Sequence, residues 1–106
     1  MILSDQQKET AVTLFKSVQD RLGQAFENID GKAEFTRKDW KREAKGPLKE
    51  GGGTIGIIRG EIVEKAAANV SAVSGDSYPS IESEHKGKPF FASGVSTICH
   101  MYNPHC

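Results

Sequence analysis

The chain has 106 residues, 37% of them hydrophobic, which allows one small domain with a modest core. Fourteen lysines and arginines balance fourteen aspartates and glutamates, so no net field draws the protein to nucleic acid or a membrane surface, and any anionic ligand has to be held by local groups. The opening MILSDQQKET has an aspartate where a signal peptide needs an apolar run, no later stretch is long and apolar enough to span a bilayer, and two cysteines are too few for a disulfide framework; the sequence therefore predicts a cytoplasmic protein with reduced thiols.

In chain order, the first predicted element is an amphipathic helix over residues 5–28. Ser4 and Gln7 have capping-box spacing, Val12, Phe15, Val18, Leu22, Phe26 and Ile29 recur at steps of three or four, and Asp30-Gly31 supplies a stop. AEFTRKDWKR, residues 33–42, mixes charges with aromatics and suits an exposed strand or a short helix. KGPLKEGGG follows, where Pro47 and Gly51 to Gly53 predict a mobile loop. TIGIIRG and EIVEK read as two short strands turning at Arg59-Gly60. Residues 61–73, EIVEKAAANVSAV, are split: glutamate, lysine and alanine favour helix, the flanking β-branched residues favour strand, and propensity leans to helix. Residues 74–89 are rich in turn formers and charges and predict a loop, in which His85 is a solvated surface residue. FFASGVSTICHM, residues 90–101, reads as a largely buried strand.

Several local patterns fail on their structural context. Gly51, Gly53 and Gly56 satisfy G-x-G-x-x-G, but a charged, proline-containing segment precedes them and strand-like residues follow, so the strand-turn-helix that would aim amides at a pyrophosphate is missing. Gly94-Val95-Ser96 is half of a nucleophile elbow, with Ile98 where the sharp turn needs glycine. The terminal CHMYNPHC holds Cys99, His100, His105 and Cys106. Strand alternation sends Cys99 and His100 to opposite faces, so a tetrahedral metal box would need an irregular backbone, for which Asn103-Pro104 offers a turn. A Cys99–Cys106 disulfide is unexpected in a reducing compartment. The same alternation places Ser96, Ile98 and His100 on one face.

FTRKDW at residues 35–40, the Gly51 to Gly53 run with TIGIIRGEIVEK, the N-V-S of Asn69 to Ser71 and, most specifically, KPFFASGVSTICHMYNP at residues 88–104 together resemble the oxygen-dependent coproporphyrinogen III oxidase family. The resemblance covers nearly the whole chain, residues 1–106, but only the N-terminal part of a longer family domain, so a single incomplete domain is expected. It implies an α+β fold, a broad antiparallel sheet covered by helices, and makes residues 61–73 a long strand paired with Thr54 to Arg59. It implies oxidative decarboxylation of two propionates of coproporphyrinogen III to vinyls, giving protoporphyrinogen IX in haem synthesis, with molecular oxygen as co-substrate, no organic cofactor and a homodimeric enzyme.

Residue by residue, the resemblance puts Ser96 at a substrate-binding serine and His100 at an active-site histidine that serves as a divalent-metal ligand in some members. The family's proton-donor histidine and an Asn-x-Arg substrate element follow beyond Cys106, and His105 is too early to be that histidine. Val63 before Glu64-Lys65, Ala67-Ala68 before Asn69, and Met101 after His100 depart from the family pattern, as in a divergent member or a decaying copy. A tetracarboxylate needs several positive groups, arginine being the one that grips a carboxylate with two bonds, and the only arginine after the glycine run is Arg59. The expectation is that these residues form one wall of the site without turnover of their own; a small tetrapyrrole-binding or metal-binding module is the alternative.

Overall fold

The computed structural model describes residues 3–46, 48–76 and 88–105. Helix α1 runs Asp5–Asp30 and opens with the predicted capping box: the Gln7 amide donates to Ser4 Oγ at 3.1 Å and the Ser4 amide to Gln7 Oε1 at 2.8 Å. It ends at Gly31, whose φ of 83° lets its N–H turn back to the Glu27 carbonyl at 2.8 Å.

Four strands follow, β1 Thr36–Arg42, β2 Gly51–Ile58, β3 Val63–Gly75 and β4 Phe90–Met101, in one antiparallel sheet of order β1-β2-β3-β4. A bulge near Glu64, where Val63 pairs with Met101 but Lys65 with His100, is the one register shift between β3 and β4. The fold class is therefore the expected α+β arrangement, an N-terminal helix on an antiparallel sheet. No helix among the described residues is long and apolar enough to cross a membrane.

The helix covers one face of the sheet. Phe26, Phe35, Ile58, Val63, Ala66 and Ala68 form the buried cluster, with Leu22, Ala33 and Met101 packed against it. Ala66 and Ala68 have no exposed surface, and their small side chains let the helix approach the backbone of β3 closely. Phe35 wedges between helix and sheet: a Cβ at Gly23 or at Gly56 would fall inside the van der Waals envelope of its ring, so both positions need glycine.

Two polar side chains fasten this layer. Gln19 is 2% exposed, and its Nε2 donates to the carbonyls of Thr54 at 2.9 Å and Ala68 at 2.8 Å. Asp30, also buried, accepts the amides of Ile62, Val63 and Ala33 at 2.9–3.0 Å. Those bonds, Val63 first, then Ile62 and Ala33, hold its carboxyl at about 2, below the ordinary 3.8.

Four sequence expectations are corrected. Gly51 to Gly53 are not a loop but the first residues of β2, paired with Arg42, Lys41 and Trp40; the partner strand supplies the order that glycine lacks by itself. β4 is not largely buried, because only one helix covers the sheet and Ile98 stays 54% exposed. Ile29 leaves the apolar stripe at 51% exposure, while Gln19, Gly23 and Asp30 enter it. The helical leaning of residues 61–73 fails, since β3 pairs on both sides over this stretch, as the family resemblance implies. Residues 33–42, left between strand and helix, form β1 from Thr36 onward. His85 and Cys106 lie outside the described residues.

Candidate functional site

The face of the sheet away from α1 carries the candidate residues Ser96 and His100, and alternation decides what it presents. On β1 the odd residues turn to the helix: Arg37 pairs with Asp20 at 2.6 Å and Asp39 accepts from Thr54 Oγ1 at 2.8 Å. The even residues Lys38, Trp40 and Arg42 therefore belong to the open face. Facing them across the ladders are Ile55, Gly53 and Gly51 of β2, then Asn69, Ser71 and Val73 of β3, then Ser96, Gly94 and Ala92 of β4.

These residues form three parallel rows. The middle one, Trp40–Gly53–Ser71–Gly94, has almost no side-chain bulk beyond the tryptophan. The indole lies over Gly53, whose missing Cβ would meet Trp40 Nε1. The result is a trough of about 570 Å³, walled by Trp40, Ile55, Asn69, Val73 and Ser96. A larger hollow of about 780 Å³, lined by Val12 and Lys16 of the helix and by the β1–β2 end, contains neither Ser96 nor His100.

Ser96 stands in the trough wall directly opposite Asn69, exposed, and its hydroxyl makes no hydrogen bond among the described residues. His100 shares its face, four residues along β4, so about 13 Å separates the two Cα atoms. They line one surface without touching. Opposite His100 is Lys65. Cys99 points to the helix side, where its Sγ lies 3.7 Å from Met101 Sδ, as alternation predicts. Among the described residues no three His, Cys, Asp or Glu side chains converge, and the residue facing the His100 imidazole is a lysine. The terminal box and the Cys99–Cys106 pairing reach Cys106, which lies outside the described residues.

Sequence reasoning missed Arg42. Counting arginines after the glycine run leaves only Arg59, which sits exposed between β2 and β3. Arg42 comes before the run, yet pairing with Gly51 brings it onto the same face as Ser96, with its Nη2 against the space of the missing Gly51 Cβ, beside Val73. The signal was the alternation Lys38, Trp40, Arg42 against glycines. The strand positions of the open face hold Lys38, Arg42 and Lys65, with the exposed Glu64 at the β3 bulge as the acidic neighbour of Lys65.

The chain matches the family model described as coproporphyrinogen III oxidase over residues 10–106. It is 39% identical over 102 residues to the oxygen-dependent coproporphyrinogen-III oxidase of Prochlorococcus marinus subsp. pastoris, covering 92% of this chain and 28% of the relative. The enzymes of the same name from Prochlorococcus marinus strains MIT 9515 and AS9601 are 38% and 35% identical, again over 92% of this chain and over 28% and 29% of theirs. The chain thus spans under a third of the length of these relatives. No solved structure matches it significantly.

Proposed function

This chain belongs to the coproporphyrinogen III oxidase family, and we propose that its open sheet face is one wall of a site for coproporphyrinogen III. The reaction is the oxidative decarboxylation of two propionates to vinyls, yielding protoporphyrinogen IX, with molecular oxygen as co-substrate and no organic cofactor. The observation that carries the reading is the position of Ser96. It stands in a trough of about 570 Å³ lined mostly by small residues, on a face where Lys38 and Arg42 supply positive charge. In this reading Ser96 donates to the substrate, and His100, exposed on the same strand, serves the reacting side chain. A divalent metal at His100 would need ligands from outside the described residues.

The trough has no opposing layer among the described residues, so the proposal is binding without turnover by the 106-residue chain. Excluding water and fixing a reacting propionate both need a second wall. The free edges of β1 and β4 are the places where a homodimer or further strands attach, and the proposed setting is the cytoplasm. Titrating the chain with coproporphyrin and following its main absorbance band tests the reading. A saturable shift that Ser96→Ala weakens is the expected result. No shift would refute the tetrapyrrole site, and protoporphyrin fluorescence developing from aerobic coproporphyrinogen would refute the absence of turnover.

A further inference from the structure

Among the described residues, three buried side-chain polar atoms lack a hydrogen-bond partner: Nε and Nη2 of Arg42 and Oδ1 of Asn69. All three belong to the open face. Polar atoms shut from water are ordinarily paired, and a guanidinium left unpaired is among the most costly exceptions. On the helix side the corresponding groups, those of Gln19, Asp30 and Thr54, are all engaged. The fold thus satisfies its polar groups where it builds a core and leaves them open on the other face, Asn69 in the trough wall and Arg42 in the lining of the neighbouring 780 Å³ hollow.

The unpaired atoms differ in kind. Nε and Nη2 form one edge of the guanidinium, the edge that takes a carboxylate with two parallel N–H···O bonds. Among the described residues no Asp or Glu pairs with Arg42. Asn69 Oδ1 is a pure acceptor and suits an N–H. Asn69 sits in the row of Ser96, and the Arg42 guanidinium reaches across Gly51 to Val73, two rows away. Four residues along β3 separate Asn69 from Val73, about 14 Å at strand spacing. An acceptor for a central N–H at one end and a carboxylate grip at the other match a tetrapyrrole and its peripheral propionate.

We propose that Arg42 and Asn69 are substrate-holding residues, Arg42 gripping a propionate carboxylate and Asn69 Oδ1 accepting a pyrrole N–H. The assignment rests on the tetrapyrrole reading of this face. The Arg42 edge lies against Gly51 and Val73 in the free chain, and rotation about its own side-chain torsions turns it over the trough.

Three probes separate the contacts: coproporphyrin, its tetramethyl ester, which has no carboxylate, and its zinc chelate, which has no central N–H. Arg42→Gln is expected to weaken coproporphyrin binding about ten- to hundredfold and to bind the ester as the unsubstituted chain does; Arg42→Lys falls between. Asn69→Ala weakens coproporphyrin binding and leaves the zinc chelate unaffected. Because the free chain carries these groups unpaired, both variants melt no lower than the parent. If the parent and Ser96→Ala behave as proposed above while Arg42→Gln and Asn69→Ala bind coproporphyrin like the parent, the assignment fails and the tetrapyrrole site stands. Equal weakening for all three probes with a lowered melting temperature would also overturn it, since that is the mark of a structural role. A parent chain that binds no coproporphyrin refutes both readings at their common root.

Discussion

Gln19→Leu is the most informative single test of how the helix is held to the sheet. The substitution keeps the volume of a 2% exposed side chain and removes the donor that serves Thr54 and Ala68 at 2.9 and 2.8 Å. An orphaned buried carbonyl costs about 1–3 kcal/mol, towards the low end where a ladder bond still uses the other lone pair, so two cost about 2–4 kcal/mol. Leucine recovers about 1 kcal/mol by burying apolar surface. The net loss is about 1–3 kcal/mol, which in a domain of this size lowers Tm by roughly 5–20 °C, readable by circular dichroism. Gln19→Glu sharpens the test. A carboxylate facing two carbonyls favours its protonated form, so its folded-state pKa rises, and this variant should be least stable at neutral pH and recover as pH falls below it. Thr54 and Ala68 immediately flank Ile55 and Asn69 of the trough, so coproporphyrin binding should weaken with the same change. A Gln19→Leu protein as stable as the parent, or a Gln19→Glu protein with one Tm at pH 5 and pH 8, would refute the polar-anchor argument.

Gly56→Ala puts a methyl group into the space of the Phe35 ring and should destabilise by about 1–3 kcal/mol, with Phe35→Leu in the same chain restoring part of the loss. Asp30 has its pKa lowered from 3.8 to about 2, so its contribution to stability is fully present above about pH 4 and disappears as pH falls towards 2; Asp30→Asn should lower stability at pH 7 and flatten the acid limb of a pH–Tm curve, and an unchanged acid limb would count against the buried cap. Lys38→Glu and Lys41→Glu change net charge equally, but only Lys38 is on the open face, so in low salt the first should weaken coproporphyrin binding a few-fold and the second should not. Equal effects would mean that net charge, not its placement, governs binding.

What the sequence made legible follows the range of the forces involved. The helix start is a local device, Ser4 with Gln7, and it formed as expected, with Gly31 closing the other end. The strand alternation that separated Cys99 from His100 and grouped Ser96 with His100 is also local, and it held through β4. Errors arose where a distant partner decides. Gly51 to Gly53 have no strand preference of their own, and side chains of Arg42 and Trp40 on the neighbouring strand lie against the space that the missing Cβ atoms of Gly51 and Gly53 leave. Alanines 66 to 68 favour helix in isolation but serve in β3 because Ala66 and Ala68 must fit beneath α1. Ile29 looked like core by hydrophobicity; Asp30 took the buried place because three backbone amides converge on it from Ala33, Ile62 and Val63. Arg42 was missed because its relevance depends on register, not on its position in the chain.

The two faces of the sheet separate stability from binding. Beneath α1, each hydrogen bond from Gln19 and to Asp30 joins segments more than thirty residues apart or closes the turn after the helix, so these groups set which strands lie where. Their loss is felt in unfolding. On the other face the unpaired atoms of Arg42 and Asn69 contribute nothing to that framework and cost free energy while they wait. The two sets are nonetheless coupled through β2 and β3, since Thr54 and Ala68 are adjacent in the chain to Ile55 and Asn69. A ligand that pairs Asn69 stiffens the same strand segments that Gln19 holds from behind, so binding on the open face should raise the melting temperature most in the parent and least in Gln19→Leu, where that rear support is gone.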